Sequence, residues 1–599
     1  MNTIFKGFTK MIIPDFKHYT EDEKKVLYAN RIGAYVRDPL VGIWRWVGSF
    51  DANSLYPSII RTLNIGFETI VTFDMLPLDF QIFIKSIDWN VAEYEGNHHI
   101  KIKEYAQRYK KYTGIELKLS DLSILNIPKD AIYEEVKSKT KKKEVKRFSL
   151  YKEIIRATVD LMVERDIMKL MTPYLEKYNL SFAPNFAFFK RDKISLLNSA
   201  MTRYYTKRKG YQSQEESYKK LYKGKKEEIK QCGDDKKLKQ KLKQELYEYE
   251  IKESNYNQFS TLYKLLINSG YGAISHPSCR FFNVDITNAI TSTSQYIMKR
   301  CAIDIDNLIE IESGVKQKRI IYGDTDSIYV DFSYAYKGDV VSMVEYLKGF
   351  QLKVESSLTQ TVTQMNAFDP NILKMKIEKL ADSTFFQAPK KYVTRNMYKD
   401  GVFYLDKQKI TPTGLSIQNI NTPDGIAEWL DDLVTFYLNE DRKGLIDYIS
   451  KIKKEFRQMD LKLICNIKNV NLYDNYVMSN GKKDKTFRGS NYELNKQCPP
   501  TVRASAYHNF LIEQGKIDPL YKIQDGDKVL ILYIKPSKTA ENLIAFREDE
   551  PISISRELID WDVMFDKVVL SNIKPFQEIL NWKLEYSRLE MFQMEYGEI

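Results

Sequence analysis

The chain has 599 residues, 43% of them hydrophobic, which is enough for several cores at roughly 100–200 residues per domain. Its 92 Lys and Arg against 80 Asp and Glu leave a formal net charge of +12, an excess that attracts polyanions without identifying one. No run of about 18 apolar residues is present to span a bilayer, and MNTIFKGFTKMIIPDFKHYT at the start is no secretory signal. The five cysteines (Cys232, Cys279, Cys301, Cys465, Cys498) lie far apart without a CxxC pair, which reads as reduced cytosolic thiols and not a zinc site.

Residues 31–70 predict loop, strand, turn and helix. VGIWRWVGSF alternates aromatic and β-branched residues as a strand does, and SLYPSIIRTL follows as a helix with Ser54 as N-cap and Pro57 in the first turn. Residues 71–190 are mixed in pattern. Their basic run KSKTKKKEVKR, Lys137 to Arg147, reads as a solvated loop, with a nucleic-acid contact as the alternative. From about Leu196 to Leu266 a charged stretch rich in Lys, Glu, Gln and Leu breaks at QCGDDKK, which predicts a helical hairpin projecting into solvent, its second helix uninterrupted until Gly270. Residues 276–400 return to strand-like runs, and residues 401–599 read as mostly helical with some strand around DKVLILYIKP. There is no repeat of about 20–50 residues and no long low-complexity linker.

Three stretches carry chemistry. Asp51 falls where the strand ends and the helix begins, so a carboxylate able to hold a hard cation sits beside unpaired helix N–H groups able to hold a phosphate; the ordinary alternative is that Asp51 and Ser54 only cap the helix. In YGDTDSIYV, Asp324 and Asp326 stand at the tip of a predicted β-hairpin, where their repulsion is relieved either by solvent or by a cation. With Asp51 they make oxygen ligands suited to Mg²⁺, and two such ions about 4 Å apart clamp the attacking and leaving oxygens of a phosphoryl displacement. In KLLINSGYG, Lys264, Asn268 and Tyr271 share one helix face, a stripe wrong for a core and right for a phosphate at one end and a flat base at the other. Arg203 and Lys207, also four apart, lie on the first arm of the hairpin, where an ordinary solvated face is the alternative.

Together these segments resemble a family B DNA polymerase. DANSLYPSII resembles its motif A, KLLINSGYG motif B, YGDTDS motif C, and PKKYVTR the lysine-tyrosine motif that leads to the thumb, all in the family's order. GAYVRDP, TGLSIQNINTP, KKEFRQMD, KQCPPTVRASAYHNFLI and DKVLILYIKP are similar to the T-even-type phage branch. The resemblance covers most of 30–70 and 195–580 and fades in 71–190, where the chain is longer than the branch pattern. It implies an α+β right-hand architecture: a lead-in at 1–50, a palm at 51–195 with the divergent insertion at about 71–190, fingers at 196–275, palm again at 276–400, and a mostly helical thumb and tail at 401–599.

The resemblance also implies roles. Asp51 and Asp326, with the Ala52 carbonyl, would hold two Mg²⁺ ions, with Mn²⁺ as a substitute. Asp324 would support the primer terminus, and Glu378 in KMKIEKLAD would be a further carboxylate. Ser54, Leu55, Arg203, Lys207 (or Lys209), Lys264 and Asn268 would bind the deoxynucleoside triphosphate. Tyr56 would be the gate against a 2′-hydroxyl, Tyr271 and Gly272 would lie at the nascent base pair, and Lys390, Lys391 and Tyr392 would hold the primer-template DNA.

Motif A begins at residue 51, and no D-x-E element precedes it, so the expectation is a polymerase core without a 3′–5′ exonuclease; the leading reading is a split enzyme with a separate exonuclease-bearing polypeptide as partner, and the alternatives are a naturally non-editing enzyme or an engineered truncation. RLEMFQMEYGEI at the end, through Leu589, Met591 and Phe592, suggests a sliding-clamp peptide or a tail packed on its own thumb. The expected compartment is the cytoplasm of an infected bacterial host. The other readings are a non-catalytic DNA-binding replisome subunit, a protein-primed family B enzyme, and a reverse transcriptase, which would want Tyr-x-Asp-Asp.

Overall fold

The computed structural model describes residues 20–91, 99–139, 142–232, 235–406, 408–415, 417, 422–479, 492–494, 498–535, 542–552 and 554–582. The chain divides into two units. The first takes Met1–Arg37, Ser49–Val330 and Lys337–Glu378, and the second takes Asp38–Gly48, Asp331–Tyr336 and Lys379–Ile599. Helices combine with antiparallel sheets, so the class is α+β.

After a helix over Glu21–Ala29, the first unit holds β1 (Val36–Arg37) and the end of β2 (Gly42–Ala52), where Ser49 and Phe50 are buried. α1 (Leu55–Thr62) follows at once, and Leu55, Ile59 and Ile60 anchor it in the core. The basic run Lys137 to Arg147 is not a loop. It lies in an antiparallel hairpin of β3 (Ile132–Lys139) and β4 (Lys142–Ser149), in register from Ile132↔Ser149 to Lys139↔Lys142. Ladder hydrogen bonds and aromatic pairing of Tyr133 with Phe148 override the low strand propensity of its lysines.

α2 (Leu196–Gln231) and α3 (Lys236–Ser275) form the predicted helical hairpin. Ser195 caps the first helix and Asp235 the second. An alternating ladder of rings joins the arms: Tyr263, Phe259 and Tyr256 around Tyr211, then Tyr256 and Tyr249 around Tyr218. α3 does not stop at Gly270. It continues to Ser275 because Gly270 is buried against α2, where an added Cβ would meet Met201 Cε at 2.5 Å.

The strand-like reading of 276–400 missed two long helices, α4 (Val284–Ser313) and α5 (Val340–Gln364). The Thr- and Ser-rich start of α4 crosses the core because Thr287 and Thr291 donate back to the carbonyls of Asn283 and Thr287, at 2.7 and 3.0 Å. Between them, β5 (Ile320–Asp324) and β6 (Ser327–Asp331) make the predicted β-hairpin. In this unit the strands run β1–β5–β6–β2–β7, where β7 is Met375–Ala388.

In the second unit, β7 continues and pairs with β8 (Lys391–Lys399), which pairs with β9 (Lys409–Thr413). α6 (Ala427–Asn439) and α7 (Arg442–Phe456) pack with a three-stranded sheet, β10 (Asn466–Asn469), β11 (Lys528–Tyr533) and β12 (Leu543–Arg547), around one core that includes Leu433, Phe456, Leu532 and Phe576. The buried His508 Nε2 is hydrogen-bonded to a carboxyl oxygen of Glu550 at 2.9 Å. Leu589, Met591 and Phe592 lie outside the described residues, as does the lead-in before Thr20. All five cysteines are free thiols.

Candidate active site

The site is built where β2 ends. Asp51 and Ala52 are its last residues, and the Ala52 N–H donates to the Asp326 carbonyl at 2.7 Å, fixing the strand end to the tip of the β5–β6 hairpin. The Asn53 N–H donates to the Lys374 carbonyl at 3.1 Å on the other side. Ser54 occupies the N-cap position of α1 but does not cap it. Its φ of +51° turns the hydroxyl away from the helix N–H groups, and Arg208 donates to that hydroxyl at 3.2 Å.

The carboxylate hairpin closes with a two-residue turn, Asp324↔Ser327, in which Thr325 has φ +59°, a left-handed position that a β-branched residue rarely takes. The Thr325 N–H donates to the Tyr35 carbonyl at 2.8 Å, and the Asp326 N–H to the Asp324 carbonyl at 2.6 Å, which hold the turn. Both carboxylate oxygens of Asp324 accept hydroxyl protons, from Tyr322 and Thr325, each at 3.1 Å. Glu378 accepts from Ser49 at 3.3 Å. Among the described residues no three His, Cys, Asp or Glu side chains gather into a ready-made cation cage. A pair of carboxylates with a main-chain carbonyl is the kind of sparse oxygen set that suits a hard ion completed by water and substrate phosphate.

Tyr56 links the motifs. Its ring lies 4.5 Å from that of Tyr271 at the end of α3. Burial, then Tyr271, Asp326 and Asp324, push its phenol well above the usual range, so it stays neutral beside the carboxylates. An added Cβ at Gly272, one residue on, would meet nothing, so no intrachain contact demands that glycine.

Sequence reasoning missed how the hairpin is latched to this site. Asn53 donates to the Tyr205 hydroxyl at 2.5 Å, Arg61 donates to Thr202 at 3.0 Å, and the Arg61 guanidinium stacks on Tyr205 at 4.6 Å. Arg208 has a buried Nε without a partner, and burial lowers its pKa. Burial, then Lys376 and Arg208, likewise lowers that of Lys209, whose ammonium lies 5.7 Å from the Tyr205 ring. Lys209 is nonetheless exposed, as are Arg203, Lys207, Lys264 and Asn268, and Lys207 sits over Tyr263 at 5.7 Å. The buried Leu197 and Met201, read at helical spacing, lead to Arg208; that period was the available signal.

In the second unit, Lys390 turns between β7 and β8 with φ +62°. Lys391 is exposed, whereas Tyr392 is buried and packs on Phe386 at 5.5 Å, so its ring braces the turn.

A family model for DNA polymerase family B matches residues 6–82 and 230–502, more than half of the chain, and the chain belongs to that family. Among its relatives are the DNA-directed DNA polymerase of Escherichia phage RB69, 23% identical over 589 residues (94% of this chain and 56% of that protein), and that of Enterobacteria phage T4, 25% identical over 350 residues (54% and 36%). A DNA polymerase of Trichoplusia ni ascovirus 2c is 24% identical over 394 residues (62% and 33%). The matched regions span from about a third to just over half of the length of these curated relatives.

Proposed function

We propose that this chain extends primer-template DNA with deoxynucleoside triphosphates by template-directed nucleotidyl transfer, in the cytoplasm of an infected host. The observation that carries this reading is the hydrogen bond from Ala52 to Asp326, with Tyr56 beside the Asp326 and Asp324 carboxylates: segments far apart in the chain meet at one strand end. The β1–β5–β6–β2–β7 strands act as palm, α2 and α3 as fingers, and the helices and sheet from Ala427 onward as thumb. Asp51 and Asp326, with the Ala52 carbonyl, would hold two Mg²⁺ ions. When bound, these ions supply a more acidic primer 3′-hydroxyl and charge compensation for the departing pyrophosphate. Asp324, its oxygens held by Tyr322 and Thr325, orients the turn beside the primer end. Glu378, hydrogen-bonded by Ser49, is a supporting carboxylate.

Arg208 and Lys209 cradle the triphosphate from the latched arm, with Arg203, Lys207, Lys264 and Asn268 around it and the Ser54 and Leu55 N–H groups below. The unpartnered Nε of Arg208 supports an acceptor ligand there. Arg208→Ala should raise the KM for incoming nucleotide about 10–100-fold, the worth of a charged hydrogen bond. Arg203→Ala should do less. Steady-state extension kinetics decide, and equal effects would reject the ranking. Tyr56, braced by Tyr271, excludes the 2′-hydroxyl. Tyr56→Ala should cut the deoxy-over-ribo preference by about 100-fold in competition assays, and unchanged preference would refute the gate. Lys390 and Lys391 hold the primer strand. Primer extension on a defined template tests the whole reading: incorporation that ignores the templating base rejects it.

A further inference from the structure

The α2–α3 hairpin has two electrostatic halves. Near the site, its basic and acidic residues balance at six each. In residues 219–243, its far end, eleven lysines face four acidic residues, a net charge of +7 on 25 residues of a chain whose total is +12. At about 1.5 Å per residue, this end begins about 15 Å beyond Lys209 and reaches about 30 Å beyond it.

The lysines are arranged in stripes. Lys219, Lys223 and Lys226 recur at helical spacing on one face of α2, and Lys236, Lys239 and Lys243 do the same on α3; all six are exposed. Like charges one turn apart destabilise a helix by a few tenths of a kcal/mol per pair. Among the described residues, the ion pairs here go instead to Lys225, held by Glu228 at 2.8 Å and Glu245 at 3.0 Å, and to Lys230, held by Glu227 at 2.8 Å. The hairpin thus neutralises the lysine it half-buries and leaves the stripes facing solvent, a local conflict that a polyanion outside the chain resolves. Aromatic rings lie among the charges: Lys226 sits over Tyr222 at 5.6 Å, and Tyr247 is 63% exposed. Lysines on a rod with accessible rings suit a single strand gripped through phosphates and stacked bases, without sequence preference.

We propose that the far end of the hairpin is a second nucleic-acid contact that holds the unpaired template strand ahead of the site. This rests on the polymerase reading, but its test does not depend on chemistry. Binding of the full chain to a fluorescent single-stranded oligonucleotide would be titrated over a salt series. The variants are K219Q/K223Q/K226Q and, on the other helix, K236Q/K239Q/K243Q, since glutamine keeps helix propensity. Removing three phosphate-binding ammonium groups should lower the slope of log K against log salt by about 2. Wild type should bind a primer-template with a long template overhang more tightly than one whose overhang is too short to reach the far end, and either variant should lose that difference while extending the short-overhang substrate at the wild-type rate. An unchanged slope and an unchanged overhang preference in both variants overturn the contact. If wild type extends neither substrate yet prefers the long overhang, the contact stands and the polymerase reading falls. If one variant misfolds, the other set on the separate helix decides.

Discussion

Asp326→Asn should reduce the rate of single-nucleotide addition by about 10³-fold or more while leaving the fold and primer-template binding intact. Asparagine keeps the size of the side chain, and the turn that presents it is held by main-chain bonds that the substitution leaves alone: Ala52 to Asp326, Asp326 to Asp324, and Thr325 to Tyr35. What disappears is one of only two carboxylates proposed for the metal ions, and among the described residues no three-carboxylate cluster stands behind them. A Lewis-acid contribution of several kcal/mol at about 1.4 kcal/mol per decade gives the stated loss. Asp51→Asn should match it. Asp324→Asn should cost less, because that carboxylate is engaged by Tyr322 and Thr325 and acts on the turn. Rapid-quench extension with a titration of the divalent ion separates these cases. Full activity in Asp326→Asn would remove the metal assignment.

The second large effect is on the other unit. Gly414→Ala should lower stability by about 2–5 kcal/mol. Gly414 has φ +64°, which costs an L-residue about 1–2 kcal/mol, and the added Cβ would fall 1.9 Å from the Lys390 carbonyl oxygen and 3.1 Å from its carbon. Those are main-chain atoms, so no side chain can swing aside; the β8–β9 pairing at Tyr392↔Thr413 must shift, and overpacking of this kind costs about 1–3 kcal/mol more. The displaced backbone carries Lys390 and Lys391, which are proposed to hold the primer strand, so primer-template affinity should fall along with thermal stability. Denaturant unfolding and a binding titration check both, and wild-type stability would mean that the turn is not held as described.

What was legible in the sequence follows from how local each signal is. The turn with Asp324 and Asp326 and the two long helices of the hairpin are written in contiguous patterns of apolar residues and breakers, and they lie where those patterns put them. The side of α2 that meets Ser54 was not legible from charge: Arg203 and Lys207 are exposed, whereas Arg208, on the helix that buries Leu197 and Met201, donates to the Ser54 hydroxyl. Ser54 looks like a cap in sequence, and only its left-handed backbone excludes that. The Thr- and Ser-rich start of α4 and the lysine-rich β3–β4 hairpin defeat propensity through interactions that no local pattern announces, by hydroxyl back-bonding in one and by ring pairing and ladder bonds in the other.

Templated synthesis at Asp51 and Asp326, the function proposed above, can be read in one assay. The most direct measurement is single-nucleotide extension of a labelled primer by the wild-type chain, on four templates differing only in the first unpaired base, with and without Mg²⁺. Addition of the complementary deoxynucleotide on each template, only with the divalent ion, is the expected result. Addition independent of the template base, or no addition with primer-template bound, would contradict it.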